Sequence, residues 1–100
     1  MAYAALAEPH RREILDLLRD GERSAGEFVE RLGLSQPGVS KHLRVLREAG
    51  LVDVRADGRH RRYSLRAAPL AEVDAWLAPY RAHWNTQLDA LERHLAENPE

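Results

Sequence analysis

Most of the side chains in this sequence that can bind nucleic acid lie between residues 35 and 66. With histidine neutral, this segment holds 8 basic and 3 acidic residues, a net charge of +5. Residues 1–34 carry a net charge of −2 and residues 67–100 carry −4, so the whole chain has a net charge of −1. Because lysine and arginine neutralise phosphate, this distribution predicts one surface for a polyanion on an otherwise acidic chain.

The candidate DNA contacts fall into a helical group and a hairpin group. Glutamine suits adenine, whereas lysine and arginine suit guanine or phosphate. The hairpin cations suit phosphate or the minor groove. Helical geometry turns His42 toward the core side, so packing or a backbone hydrogen bond is an equal alternative to DNA contact there. The predicted DNA-binding residues are Ser35, Gln36, Ser40, Lys41, His42, Arg44, Arg59, His60, Arg61 and Arg62.

Two short helices must position the helical group. In residues 34–52, Val39, Leu43 and Leu46 share one stripe and Gly50 ends the pattern, which predicts a recognition helix that starts at Ser35 or Gln36. A helix over residues 24–32 precedes it, and the spacing of Ser24 and Glu27 predicts a capping box. Residues 24–50 therefore form a predicted helix-turn-helix.

A two-stranded wing is predicted over residues 51–66. Apolar residues alternate with arginines on both sides of Asp57-Gly58, and this dipeptide is a strong hairpin signal. The pattern leaves the strand register open. The apolar sides should cover the helices, and the arginines should face outward.

The predicted dimer contacts lie in terminal helices at residues 1–8 and 69–97. The second helix carries an apolar stripe that so short a chain cannot cover, so a second copy is its expected partner. Pro79 lies inside this helix and predicts a kink or break near Leu77-Ala78. The predicted interface consists of Tyr3, Leu6, Leu77, Tyr80, Trp84, Leu88, Leu91 and Leu95.

Together these elements predict a single winged helix-turn-helix domain over residues 1–100. It is mainly α with a small β-hairpin, and dimeric through its N- and C-terminal helices. There is no cysteine, no apolar run near the ~18 residues of a membrane span and no signal peptide pattern, so we expect a cytoplasmic protein that contacts no membrane. No nucleophile–base pair or phosphate-binding glycine loop is apparent, and we expect neither an enzyme nor a cofactor.

Three segments resemble the ArsR/SmtB family of bacterial repressors. They are ALAEPHRREIL at residues 5–15, the run SQPGVSKHLRVLREAGLV at residues 35–52, and RYSL at residues 62–65. The long last helix is similar to that of the metal-independent members. The resemblance implies a homodimeric winged helix that binds a palindromic operator in double-stranded DNA and represses transcription. It does not identify a small-molecule effector.

Two alternatives remain open at this point. The family's zinc sensors carry Asp-x-His and His-x-x-Glu on the last helix, and His83, His94 and Glu97 have the matching spacing, with Arg81 in place of the Asp. The resemblance therefore allows a zinc-responsive repressor, although a cation at residue 81 would repel the ion. A winged-helix module that binds protein is the alternative from another functional class.

Overall fold

Helices dominate the fold, and a small sheet is inserted before the last of them. The computed structural model describes residues 2–97; Met1 and residues 98–100, which the predicted domain includes, lie outside this range. In chain order the elements are α1 (Ala2–Leu6), α2 (Pro9–Leu18), β1 (Arg23–Ser24), α3 (Ala25–Leu32), α4 (Gln36–Glu48), β2 (Val52–Asp57), β3 (His60–Leu65) and α5 (Leu70–Glu97). The predicted fold class, mainly α with a small β-hairpin, is confirmed.

The core lies where α2, α3 and α4 meet the base of the sheet. Phe28 is fully buried there, and the predicted inner stripe of α4, Val39, Leu43 and Leu46, is buried beside it. Leu51 and Val52 continue this core into the first residues of the wing. The 3.6-residue period of the apolar positions therefore fixes which face of α4 is left for solvent.

Both ends of α4 are held by local hydrogen bonds. Ser35 is the N-cap, and its side chain accepts a hydrogen bond of 3.1 Å from the N–H of Gly38, which decides between the two predicted starts. At the other end, the N–H of Leu51 donates to the carbonyl of Leu46 and that of Gly50 donates to Arg47. Gly50 has a φ of 76°, so the helix ends in a Schellman motif that needs this left-handed residue.

Replacing Gly50 by alanine is expected to lower the free energy of unfolding by about 1–2 kcal/mol, the cost of a left-handed alanine. Its control is Gly26→Ala inside α3, where φ is not positive and the nearest atom to a new Cβ lies 3.9 Å away. This control should be neutral or stabilise by about 0.5 kcal/mol. Urea unfolding of both variants measures the difference, and equal stabilities would contradict the role of Gly50.

The wing is an antiparallel hairpin joined by a third, very short strand. β2 pairs with β3 in a register that places Val52 opposite Leu65 and Val54 opposite Tyr63. The turn residues are Gly58 and Arg59, and Gly58 takes the positive φ of 62°. β1, which the sequence analysis did not predict, pairs with the outer edge of β3 and gives the order β1-β3-β2. It thereby attaches the wing to the start of α3.

The predicted capping box at the start of α3 is wrong. Ser24 is the N-cap residue, but its side chain makes no capping hydrogen bond. The Glu27 carboxylate turns away from Ser24 and forms ion pairs with Arg23, at 3.3 Å, and Arg62, at 3.5 Å. Two guanidinium groups compete for this carboxylate against a single backbone N–H, and a charged donor makes the stronger hydrogen bond.

Of the kink or break predicted near Leu77-Ala78, the break does not occur, because α5 continues through Pro79 as one helix of 28 residues; the kink stays a prediction. Proline at residue 79 removes one backbone donor, the one that would bond to the carbonyl of Ala75. The Arg81 side chain reaches back about two turns, where it pairs with the Asp74 carboxylate and donates to the Asp74 carbonyl at 3.4 Å, so it links the turns on either side of Pro79. The helix is about 42 Å long at 1.5 Å per residue, about two thirds of the longest molecular dimension of 62 Å.

Candidate nucleic-acid interface

The exposed face of α4 carries the polar residues that the sequence analysis singled out. Because Val39, Leu43 and Leu46 face the core, Lys41 and Arg44 point outward and Ser40 lies on the flank, and all three are exposed. Gln36 is exposed because it lies in the first turn of the helix. Ser35 is also exposed, but its hydroxyl oxygen is occupied by the cap to Gly38. The part of α4 nearest its N-terminus therefore presents an amide, a hydroxyl and an ammonium group, all of which can bond to base edges.

A groove of about 680 Å³ separates α4 from the wing. Arg44 and Arg47 line it from α4, together with Gln36 and Ser40, whereas Arg59, His60 and Arg61 line it from the wing. The start of α3, residues 24–26, contributes to its wall. Within the described part of the chain the lining includes four arginines and no carboxylate. Such a groove attracts a chain of phosphates and repels acidic surfaces. Lys41 is not among its lining residues and points to another side of α4.

The arginines of the wing differ in how far they are already engaged. Arg59 and Arg61 are exposed in the groove. Arg62 is only half exposed, and it pairs with Asp57 at 3.2 Å and Glu27 at 3.5 Å. Its position suits a role in holding the wing against α3, and its predicted contact with DNA stays a prediction.

Arg55 faces away from the groove and is held by Glu22. Its guanidinium donates two hydrogen bonds to the Glu22 carboxylate, at 3.0 and 2.9 Å. The hydrogen bond from Arg55 is the main reason that the pKa of Glu22 lies below its usual value, and Glu22 in turn raises the pKa of Arg55. Arg55 therefore serves as an internal comparison for the free wing cations.

His42 lies on the side of α4 that faces the corner between α1 and α2. Its side chain is 17% exposed, and its Nε2 atom lies 3.8 Å from Oε2 of Glu8. This position agrees with the expectation that helical geometry turns His42 toward the core side. Its predicted contact with DNA is untested, and the position does not favour it.

Sequence reasoning missed Arg47 and the start of α3 as parts of this surface. Arg47 follows Arg44 by three residues, so the two side chains share one helical face, and this spacing was a usable signal. The start of α3 carried no such signal, because only the strand pairing of β1 with β3 brings residues 24–26 beside the wing.

The predicted dimer residues form an uncovered apolar stripe on α5. No residue of this helix is buried, and Trp76, Tyr80, Trp84, Leu88, Leu91 and Leu95 are all exposed. Tyr3 of α1 lies beside the stripe, with its ring centroid 6.0 Å from that of Trp76, and its hydroxyl donates to the carbonyl of Glu72 at 3.3 Å. Leu6 and Leu77 are half-buried within their own chain. Leaving such a stripe in water is costly, so it marks an interaction surface.

The candidate zinc ligands His83, His94 and Glu97 lie on α5. His83 and His94 are eleven residues apart, or about 16 Å along one helix. They cannot bind the same ion within one chain, although Glu97 is one helical turn from His94. Among residues 2–97, no group of three histidine, aspartate or glutamate side chains is placed to hold a metal ion. A site of the predicted kind would need ligands from two chains.

Residues 6–55 match a protein family described as a helix-turn-helix domain. Over 75 residues the chain is 35% identical to the transcriptional repressor SdpR of Bacillus subtilis, a match that covers 75% of this chain and 83% of SdpR. A solved ArsR-like regulator from Rhodococcus sp. RHA1 superposes with a TM-score of 0.69 at 34% identity, covering 92% of this chain and 87% of that one. The chain belongs to the ArsR family of helix-turn-helix transcriptional regulators.

A second relative is the probable mercury resistance operon repressor of Streptomyces lividans. It is 42% identical over 71 residues, and the match covers 71% of this chain but only 57% of that protein. This ArsR-family chain is a DNA-binding transcriptional regulator and not an enzyme. Within residues 2–97, no helix has the length and apolar character needed to cross a bilayer.

Proposed function

We propose that the chain is a homodimeric repressor that binds a palindromic operator in duplex DNA. The groove between α4 and the wing carries this proposal, because arginines line both of its walls and no carboxylate does so among the described residues. Two similar proteins, SdpR and the protein from Streptomyces lividans, are named as repressors, which supports this direction of regulation. A chromosomal operator implies a cytoplasmic location.

Base reading is assigned to the N-terminal half of α4. Gln36, Ser40 and Lys41 are exposed there, and this end of a recognition helix is the part that enters the major groove. Gln36 can bond to both polar atoms of an adenine edge, and Lys41 can donate to guanine. Ser35 supports them by fixing the start of the helix through its cap.

Phosphate binding is assigned to the cations of the groove. Arg44 and Arg47 would hold a DNA strand from the side of α4, while Arg59, His60 and Arg61 would hold it from the wing. These contacts fix how deeply α4 enters the groove, but they carry little sequence information themselves. Arg62 would act through the wing, since its guanidinium is shared between Asp57 and Glu27.

Dimerisation is assigned to the apolar stripe of α5 and the adjacent Tyr3. A second copy can cover both stripes at once through a two-fold axis. The two copies of α4 would then reach successive major grooves about 34 Å apart, which is why the operator should be palindromic.

Substituting Lys41 or Gln36 by alanine tests base reading. Each variant is expected to bind the operator about tenfold more weakly, because a good contact with a base is worth about 1–3 kcal/mol of discrimination. Binding to random DNA of equal length should fall by a much smaller factor. Gel shifts with DNA from upstream of the protein's own coding sequence, mapped by footprinting, measure both affinities.

Arg31→Ala is the matched control, because Arg31 is an exposed cation at the end of α3 that does not line the groove. It should leave the ratio of operator affinity to random-DNA affinity unchanged. Equal losses on both DNAs for Lys41→Ala and Gln36→Ala would exclude base reading by these residues. Wild-type protein with no preference for any upstream site would contradict the operator itself.

A further inference from the structure

We infer that Glu8 and His42 form a polar link that positions the recognition helix on the corner between α1 and α2. His42 is then a positioning residue and not a DNA contact. This inference rests on the proposed function and deepens it, because it adds a residue that connects the dimer helices to the base-reading helix.

Glu8 makes two contacts with the same carboxylate oxygen. As the N-cap of α2, it accepts a hydrogen bond of 3.1 Å from the N–H of Arg11. The same Oε2 atom lies 3.8 Å from Nε2 of His42. The carboxylate therefore fixes the start of α2 and faces the middle of α4 at the same time.

His42 is oriented for this link by its burial. Its Nδ1 atom is buried without a hydrogen-bond partner. The ring centroid of the adjacent His10 lies 6.0 Å away, and Nδ1 of His10 faces Oε1 of Glu13 at 3.5 Å. The polar contact that remains for His42 is the one from Nε2 to Glu8. A side chain that is 17% exposed and directed at its own protein's interior is poorly placed to reach a phosphate or a base.

The environment keeps Glu8 ionised. Partial burial opposes its charge, but the N–H of Arg11 and the nearby His42 and His10 outweigh that effect and leave the pKa of Glu8 below its usual value. At 3.8 Å the ionised carboxylate attracts the imidazole electrostatically, without a direct hydrogen bond between them.

Two arginines of α2 hold this helix against the end of α1. Arg11 donates to the carbonyls of Ala5, at 2.6 Å, and Ala4, at 3.1 Å, while Arg12 donates to that of Leu6 at 3.0 Å. These bonds engage carbonyls at the C-terminal end of α1, of which that of Ala4 also accepts from the N–H of Ala7. Tyr3 of α1 contacts Trp76 of α5. A continuous series of contacts therefore connects the apolar stripe of α5 to α4 through α1 and Glu8.

The test is a double-mutant cycle read by operator affinity. Glu8→Gln keeps an acceptor for Arg11 but removes the charge, and His42→Leu removes the imidazole at similar volume. Each variant is expected to weaken operator binding by about fivefold, and the double variant by little more than either alone, since residues in contact are not additive. His42→Gln, which keeps an N–H donor, should stay within about twofold of wild type.

The salt dependence separates positioning from DNA contact. A positioning role leaves the slope of log affinity against log salt unchanged in His42→Leu, whereas loss of a phosphate contact lowers it by about 1 per protomer. Additive losses or a lower slope would overturn the link while leaving the operator function intact. Wild-type protein that binds operator and random DNA equally would overturn the proposed function, and this inference with it. Thermal unfolding of each variant verifies that it is folded.

Discussion

Replacing Leu91 by glutamate is expected to convert the dimer into a monomer and to weaken operator binding by about a hundredfold or more. Leu91 lies within the exposed stripe of α5 and is 52% exposed in the single chain. In the proposed dimer its side chain is covered, and burying an unpaired carboxylate there costs several kcal/mol. A monomer loses the second half-site, and with it the effective concentration that two linked binding sites provide.

Ala82→Glu is the control for this substitution. Ala82 is exposed on the same helix, nine residues before Leu91. Nine residues are two and a half turns, so Ala82 lies on the side of the helix opposite the stripe. The same charge added there should leave the protein dimeric and its operator affinity unchanged. Sedimentation equilibrium gives the oligomeric state, and gel shifts give the affinity. A dimeric Leu91→Glu variant with unchanged affinity would exclude this stripe as the interface.

The sequence predicts those features that depend on local periodicity. The buried face of α4 follows from the spacing of Val39, Leu43 and Leu46, and this face leaves the polar residues outside. The hairpin follows from Asp57-Gly58 between two alternating runs. In each case one short segment contains all the information that the prediction needs.

The errors arise where a distant residue competes for a local partner. The capping box fails because Arg62, 35 residues further along the chain, binds the carboxylate of Glu27 together with the neighbouring Arg23. β1 has only two residues, too few to show an alternating pattern, and it exists because β3 supplies its hydrogen-bond partners. The pairing of Glu8 with His42 likewise joins two segments that the sequence analysis treated separately.

The continuity of α5 illustrates a different limit. Pro79 carries a strong local signal against a helix, yet the helix continues through it. The apolar positions on both sides of Pro79 keep the same helical phase, and the ion pair between Arg81 and Asp74 links the turns on either side of it. A single residue's preference of about 3 kcal/mol was therefore outweighed by interactions spread over many residues.

Replacing Arg61 by alanine is expected to weaken binding to operator and random DNA alike, by about tenfold. Arg61 is exposed on the wing and lines the groove opposite Arg44 and Arg47. If it binds phosphate in both protomers, its loss should lower the slope of log affinity against log salt by about 2, since each phosphate contact releases about 0.9 counterion. Titrations at several salt concentrations measure this slope.

Arg55→Ala separates a free cation from a paired one on the same wing. Arg55 is similarly exposed at the surface, but its guanidinium is bound by Glu22 and lies outside the groove. Arg55→Ala and Arg61→Ala each remove one positive charge. If the wing attracted DNA only through its net charge, both variants would lower the slope of log affinity against log salt equally. Phosphate contact in the groove requires a lower slope for Arg61→Ala alone. Equal slopes for the two variants would show that net charge, and not the groove, determines how the wing contributes to DNA binding.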